Sequence, residues 1–353
     1  MRTEMKKLSL IAISLFVCAG AFAAPADLAA LKAYAKKASL KCPDTTITLE
    51  PVPHQGPLNF NLYELFVKSS EESCQEHKYL LYSPGSQQVL LGTLFQIPED
   101  NRPVANRLAD QASQLLHEPV TANVSPFPLA DGIKSVTLTK QTQFGPFSYH
   151  GYLDASERFM MVARRGKVGV DPGKSLKEAL GVEHAVSRGN PLAKTEIVEL
   201  SDFECPTCAK MHSQVEPIIS KHLSKVHYLR LDLPLFEHHE WSIYAALGAH
   251  AIRKVAPAMY WEYADFIFKN QEEISKQPFD KVLQNFCEDH DIAWAKILPL
   301  YKSNEERAAI LDGVSRAFDN GLNSTPTFII NGQMMGHGKE GNVVLEAIKA
   351  AVK

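Results

Sequence analysis

The chain has 353 residues, 45% of them hydrophobic and 22% charged, with a formal net charge of −3 at pH 7. That length suits two domains of ordinary dimensions. The mild acidity gives no support for nucleic-acid binding, and beyond the N-terminal segment no stretch is apolar and long enough for stable membrane insertion.

Arg2, Lys6 and Lys7 form a positive start, followed by an apolar stretch from Leu8 to Ala19 and the small-x-small pattern Ala21-Phe22-Ala23. The apolar stretch is short for a transmembrane anchor, so residues 1–23 are expected to be a cleaved signal peptide directing the chain to the periplasm. Cys18 lies in this segment, but bulky Phe16 and Val17 precede it where a lipid-modification site wants small residues. Past it remain Cys42, Cys74, Cys205, Cys208 and Cys287. In an oxidising compartment close pairs among these read as disulfides or redox groups, and the odd number leaves one thiol over.

Residues 26–39 carry apolar side chains at helical spacing, with Lys36 and Lys37 at the end where the helix dipole favours positive charge. Strand-like runs follow at Thr46–Leu49, Phe60–Val67, Tyr79–Tyr82 and Val89–Ile97, with a turn at Pro84-Gly85 between the last two. Val104–Leu116 is helical in pattern. Three more strands are expected near Ser135–Thr139, Phe147–Leu153 and Arg158–Ala163, and Phe147–Ala163 reads as a weak second copy of the earlier hairpin.

Gly181–Lys194, which contains Gly189-Asn190-Pro191, is the best linker candidate. After it come a strand (Thr195–Ser201), a helix (Ala209–Leu223), a strand (Val226–Leu231) and helical patterning over 241–321. Strand Thr327–Asn331, a turn at Gly332, a short strand and a helix (Glu340–Val352) finish the chain. The expected fold class is α/β: an α+β domain over 24–187, then an α/β domain over 188–353 with a helical insertion at 241–321.

Cys205-Pro206-Thr207-Cys208 falls where a strand turns into a helix. The first helical turn has unpaired N–H groups and the positive end of the dipole, which stabilises a thiolate on Cys205. Cys208, one turn on, is placed to resolve a mixed disulfide, and Pro206 suits the first helical position. A zinc site would need a second ligand pair, and His212 alone cannot supply it. An inert disulfide in so tight a loop would be strained. Glu237-His238-His239-Glu240 tempts a metal reading, but consecutive side chains diverge; one of its histidines is left as a candidate border of the active-site groove.

Val198-Glu199-Leu200-Ser201-Asp202-Phe203-Glu204-Cys205-Pro206-Thr207-Cys208 resembles the active-site strand of the DsbA family of thioredoxin-fold proteins. Ser324-Thr325-Pro326-Thr327-Phe328-Ile329-Ile330-Asn331-Gly332 resembles that family's cis-proline loop. The resemblance covers the chain from residue 190 onward. It implies a thioredoxin-like domain in which Cys205 is the nucleophile and Cys208 resolves. Pro206, Thr207, Thr325 and Pro326 border the substrate, with a cis bond before Pro326. It also places Glu199 at the family's buried acidic position, where burial would raise its pKa and let it take the proton leaving Cys208. Pro-Thr between the cysteines departs from the Pro-His of the best-known oxidases and implies a less oxidising couple. Over 26–117, Tyr79-Leu80-Leu81-Tyr82 through Gly92-Thr93-Leu94-Phe95 faintly resembles the dimerisation domain of DsbC/DsbG-type isomerases, although this chain adds further strands before the linker.

The resulting expectation is a periplasmic thiol–disulfide oxidoreductase acting on the thiols and disulfides of exported polypeptides, with oxidase favoured. It would need a redox partner that the sequence does not identify, and no metal or organic cofactor. A dimeric disulfide isomerase or reductase is one alternative, which leaves a homodimer open. A non-catalytic chaperone or a protein binding copper(I) through its soft thiolates is another. Cys42 and Cys74 are read as a disulfide closing a loop of about 33 residues, worth ~3–4 kcal/mol in the chain-entropy model. Two separate buried thiols are the other reading. Cys287, in a helical pattern beside Phe286, would then be the inert odd thiol.

Overall fold

The computed structural model describes residues 25–353 except 54, 55, 58 and 337–340, so the expected signal peptide lies outside the described residues. Alternation of buried and open side chains builds the first half: Tyr63, Leu65 and Val67 turn inward along one strand, Val136, Leu138 and Lys140 along another. Its elements are α1 (Pro25–Ala38), β1 (Thr46–Pro51), β2 (Asn61–Lys68), β3 (Glu76–Tyr82) and β4 (Gln88–Gln96). The same series follows again as α2 (Val104–Leu116), β5 (Val120–Pro128), β6 (Lys134–Thr142), β7 (Gly145–Leu153) and β8 (Phe159–Lys167).

These strands form one antiparallel sheet in the order β1-β2-β3-β4-β8-β7-β6-β5. The order reads as the same unit from either end: a helix and a four-strand meander, joined to its copy through β4 and β8. Each unit covers its own core. Leu31, Tyr34 and Ala35 of α1 pack on Leu65, Leu80 and Leu91, whereas Leu108 and Ala112 of α2 pack on Val136, Leu138 and Leu153. Leu81, Leu90, Ile133, Met161 and Ala163 form a cluster shared by the two. At the junction Gly92 faces Ala163, and a Cβ on Gly92 would lie 2.1 Å from the Val162 carbonyl oxygen, so the approach requires glycine. β1 and β5 are the sheet's edges, and the pairing of β5 with β6 shifts register between Val124 and Pro128. The weak hairpin repeat is thus part of a larger one. β5 itself escaped the pattern because Pro126 and Pro128 interrupt its apolar run.

α3 (Pro172–Leu180) leads out of the sheet. Asp171 caps it by accepting from the Gly173 N–H at 2.9 Å, and left-handed Gly181 ends it. The segment expected to be a linker, Gly181–Lys194, instead contains a strand, β9 (Val186–Gly189). Its Val-Ser-Arg-Gly sequence has no apolar alternation, and its conformation is supplied by pairing with a neighbouring strand.

The second half consists of β10 (Thr195–Ser201), α4 (Pro206–Lys221), β11 (Val226–Asp232), α5 (Ser242–Val255), α6 (Tyr260–Lys269), α7 (Gln271–Ile274), α8 (Phe279–Asp289), α9 (Trp294–Tyr301), α10 (Asn304–Asp319), β12 (Thr327–Ile330), β13 (Gln333–Met335) and α11 (Asn342–Ala351). The sheet order is β13-β12-β10-β11-β9, with β10 parallel to β11 and antiparallel to β12. Successive β10 residues face opposite cores. Ile197 joins Met211, Val215 and Ile348 of α4 and α11, whereas Val198 and Leu200 join the inserted helices. This is the α/β arrangement with a helical insertion that the sequence led us to expect. Among the described residues no helix is long and apolar enough to cross a membrane.

Several contacts join the halves. Cys42 and Cys74 form a disulfide, and the chain beside it adds to the β13 edge, where the Lys41 N–H donates to Met334 O and the Gly336 N–H donates to Lys41 O, each at 3.0 Å. On the other side β7 lies against α10, with the Asp319 carboxylate accepting from the His150 N–H and bonded to its ring Nδ1, both at 2.7 Å.

Candidate active site

β10 ends at Ser201 and α4 begins at Pro206, so a short turn delivers Cys205 to the N-cap position of α4 with an extended backbone (φ −68°, ψ 119°). Pro206 and Thr207 are exposed; Cys205 is 7% exposed and Cys208 fully buried one turn below. The Cys205 thiol donates toward Thr325 O at 3.6 Å, and the Thr325–Pro326 bond is cis. The fold therefore brings Cys205, Cys208, Thr325 and Pro326 together, with Pro206 and Thr207 on the solvent side.

The two thiols are electrostatically unequal. A hydrogen bond with Cys208 is the main influence holding the Cys205 thiol down to about 6; burial opposes it, while Thr325 and the Cys208 N–H assist. Burial is the main reason Cys208 lies well above the ordinary thiol range, reinforced by its bond with Cys205; Ser201 beside it pulls weakly the other way. Gln271 of α7 donates to the carbonyls of Phe203 (2.8 Å) and Cys205 (3.1 Å), fixing the turn.

Glu199 is 1% exposed within β10. Its carboxylate accepts from the Tyr228 hydroxyl and lies 3.7 Å from the guanidinium of Arg230, which is equally buried on β11. Arg230 also meets Asp232 at 3.2 Å and stacks over the Phe203 ring at 4.3 Å. A buried acid was legible in the sequence. Its buried cation was not, because one arginine in an apolar strand carries no periodic signal.

Asp202 and Glu204 clamp the loop that precedes α5. Asp202 accepts from the N–H groups of Glu204 (2.8 Å) and Leu235 (2.7 Å) and bonds His239 Nδ1 at 2.7 Å. Glu204 accepts from the N–H groups of Glu240 (3.1 Å) and Trp241 (2.6 Å). The side chains of the Glu237–Glu240 run do diverge: Glu237 pairs with Lys140 and His239 with Asp202. His212, Glu216 and Asp265 bring ligand atoms within 4.8 Å of one another. Those groups are already engaged, Asp265 by His212 at 2.6 Å and Lys269 at 3.5 Å, Glu216 by Arg188. Cys287 is a buried free thiol pushed up to about 11 by burial.

Residues 182–353 match the thioredoxin family model. Among curated proteins, similarity is found to Na(+)/H(+) antiporter NhaA 3 of Salinispora tropica, 29% identical over 165 residues, which are 47% of this chain and 24% of the antiporter. Na(+)/H(+) antiporter NhaA of Herminiimonas arsenicoxydans is 24% identical over 172 residues, 46% of this chain and 25% of its own. The chain thus spans about a quarter of the length of these curated relatives. Among solved structures, alpha-DsbA1 of Wolbachia pipientis is 18% identical with a TM-score of 0.42, covering 48% of this chain and 91% of that one. MdbA, a thiol-disulfide oxidoreductase from Corynebacterium diphtheriae, is 18% identical with a TM-score of 0.40, covering 47% and 89%. With the thioredoxin model matched over residues 182–353, the sheet order, the helical insertion and the Cys-Pro-Thr-Cys turn, the C-terminal half of this chain has a thioredoxin-like fold.

Proposed function

We propose that the chain is a periplasmic thiol–disulfide oxidoreductase that exchanges disulfides with exported polypeptides, oxidation of client thiols being the favoured direction. The observation that carries this reading is the inequality of the thiols: Cys205 held down to about 6 at the rim, Cys208 buried and pushed up beneath it. In the oxidised pair a client thiolate attacks Cys205 Sγ, the bond to Cys208 breaks, and Cys208 leaves with the electron pair and takes up a proton. A second client thiolate then attacks the client sulfur of the mixed disulfide and releases Cys205 as thiolate. The client loses two electrons and the cysteine pair gains them, so a separate redox partner must remove them. A low-pKa Cys205 is the better leaving group and stabilises the reduced pair, which supports the oxidising direction.

Glu199, buried in β10 and balanced by Arg230, is assigned the exchange of the proton with Cys208. The client backbone would lie along Thr325-Pro326, with Pro206 and Thr207 at the exposed rim. The export pattern of residues 1–23 supports the compartment. The test is exchange with insulin and with reduced exported proteins: Cys208→Ser should accumulate mixed disulfides on Cys205, and Cys205→Ser should be inactive. Undiminished exchange by Cys205→Ser would overturn the assignment.

A further inference from the structure

The second unit of the N-terminal sheet reaches the edge of the active site. Lys140 of β6, nearly buried, meets Glu118 at 3.0 Å and pairs with Glu237 of the loop before α5. At the β6–β7 turn the Phe144 ring packs edge-on to Phe236 and Tyr244, each at 5.7 Å, and Phe147 of β7 packs on Phe236 at 5.4 Å. The same loop is gripped from within by Asp202 and Glu204. Between the two grips sits His239, bonded to Asp202. Asp202 is fully buried, and its charge opposes a thiolate on Cys205.

We propose that His239 is the positioning residue that balances the Asp202 carboxylate and so favours the Cys205 thiolate, and that the N-terminal sheet, through Lys140, Phe144 and Phe147, holds it there. The proposal rests on the reading of Cys205 as the reactive thiol. It gives a cation to a site whose inter-cysteine dipeptide, Pro206-Thr207, contains none. The groups facing the imidazole are Asp202 and Glu204 from the β10–α4 turn and Cys205 at the start of α4. On the same loop, Glu237 is paired with Lys140 of β6. The Asp202 hydrogen bond is the main cause that raises the His239 pKa; burial opposes it, and Asp202, Cys205 and Glu204 add charge attraction in the same direction.

Linkage makes the coupling measurable without a substitution. NMR titration of the full chain should show His239 protonating at higher pH when the Cys205–Cys208 pair is reduced than when it is oxidised. Identical titration in both states would overturn the proposal. In variants, the thiolate absorbance of Cys205 should titrate about one pH unit higher in His239→Gln, the scale of one nearby charge lost. His239→Lys should restore the wild-type midpoint. Lys140→Met and Phe144→Ala should shift the midpoint in the same direction by less, and Lys37→Ala, far away on α1, should leave it in place. A fixed midpoint in both Lys140→Met and Phe144→Ala would overturn the role given to the sheet. If the Cys205 midpoint ignores His239 while insulin exchange continues, this proposal alone fails. If wild-type Cys205 does not exchange at all, the functional reading fails and takes the proposal with it.

Discussion

The two halves of the N-terminal sheet share one topology and are put to different uses. The first unit, α1 to β4, is stapled by Cys42–Cys74 and attaches to β13, an edge remote in sequence from the reactive cysteines. The second, α2 to β8, has no disulfide and places its β6–β7 turn and β7 against the loop before α5 and against α10. One copy anchors while the other touches the working end. The lesson is that a repeated unit need not repeat its contacts: its core residues are constrained by the sheet, but its rim is free to specialise.

The comparison sharpens most at Phe147, which is 1% exposed and packed on Phe236 and Phe318. Phe147→Ala should cost about 3–5 kcal/mol in denaturant unfolding. Because this ring belongs to the core of the C-terminal half, both halves should lose stability together. Two well-separated transitions in this variant would show that the second unit is not bonded to that core as described. Replacing Cys42 and Cys74 by Ser should cost ~3–4 kcal/mol from the unfolded state's regained freedom. That loss should appear as reduced hydrogen-exchange protection in β1–β3, and an equal loss of protection in β5–β7 would erase the contrast.

A smaller effect separates the attachments by pH. The Asp319 hydrogen bond raises the His150 pKa in the folded chain, against an opposing effect of burial. The stabilisation is therefore complete below the unfolded value and is lost as pH rises through the raised folded value. Half of the His150 side chain is open to solvent, so the contribution should be well under 1 kcal/mol, the scale of about 0.2–1 for exposed pairs. His150→Gln should flatten this part of the stability–pH profile. The smallest change is expected at Lys37, whose ammonium meets Asp171 at 2.6 Å with both side chains 45% exposed. Lys37→Ala should cost about 0–0.5 kcal/mol, and a loss comparable to that at Phe147 would show that this exposed pair holds α1 far more strongly than exposed ion pairs do.

Much of this was legible where local pattern and tertiary environment agree. The α1 periodicity, the β3–β4 turn at Pro84-Gly85 and the Cys-x-x-Cys at a strand-to-helix junction all have local causes. β9 and β5 escaped because pairing partners, not their own sequences, make them strands. The cysteine pair announced itself through spacing. Arg230, Gln271 and the contact of His239 with Asp202 did not, since each meets the site from a separate segment. His239 alone left a trace, as a histidine in a polar loop whose use depended on where Asp202 would sit.

The edges of the N-terminal sheet have a consequence for assembly. A sheet with two like halves has two like ends, so one bare edge strand would mean two sticky ends on every molecule. Copies joining through both would grow into a filament, since nothing in such a join forces closure into a ring. Both outer strands meet proline instead: Pro51 ends β1 with Pro53 just beyond, and Pro126 and Pro128 lie in β5. Each proline removes a backbone donor that an incoming strand would need, and the register shift at Val124–Pro128 further breaks the ladder. The ends of the sheet are therefore poor templates for a further strand, and replacing both prolines of β5 is expected to increase strand-to-strand association, measurable by light scattering.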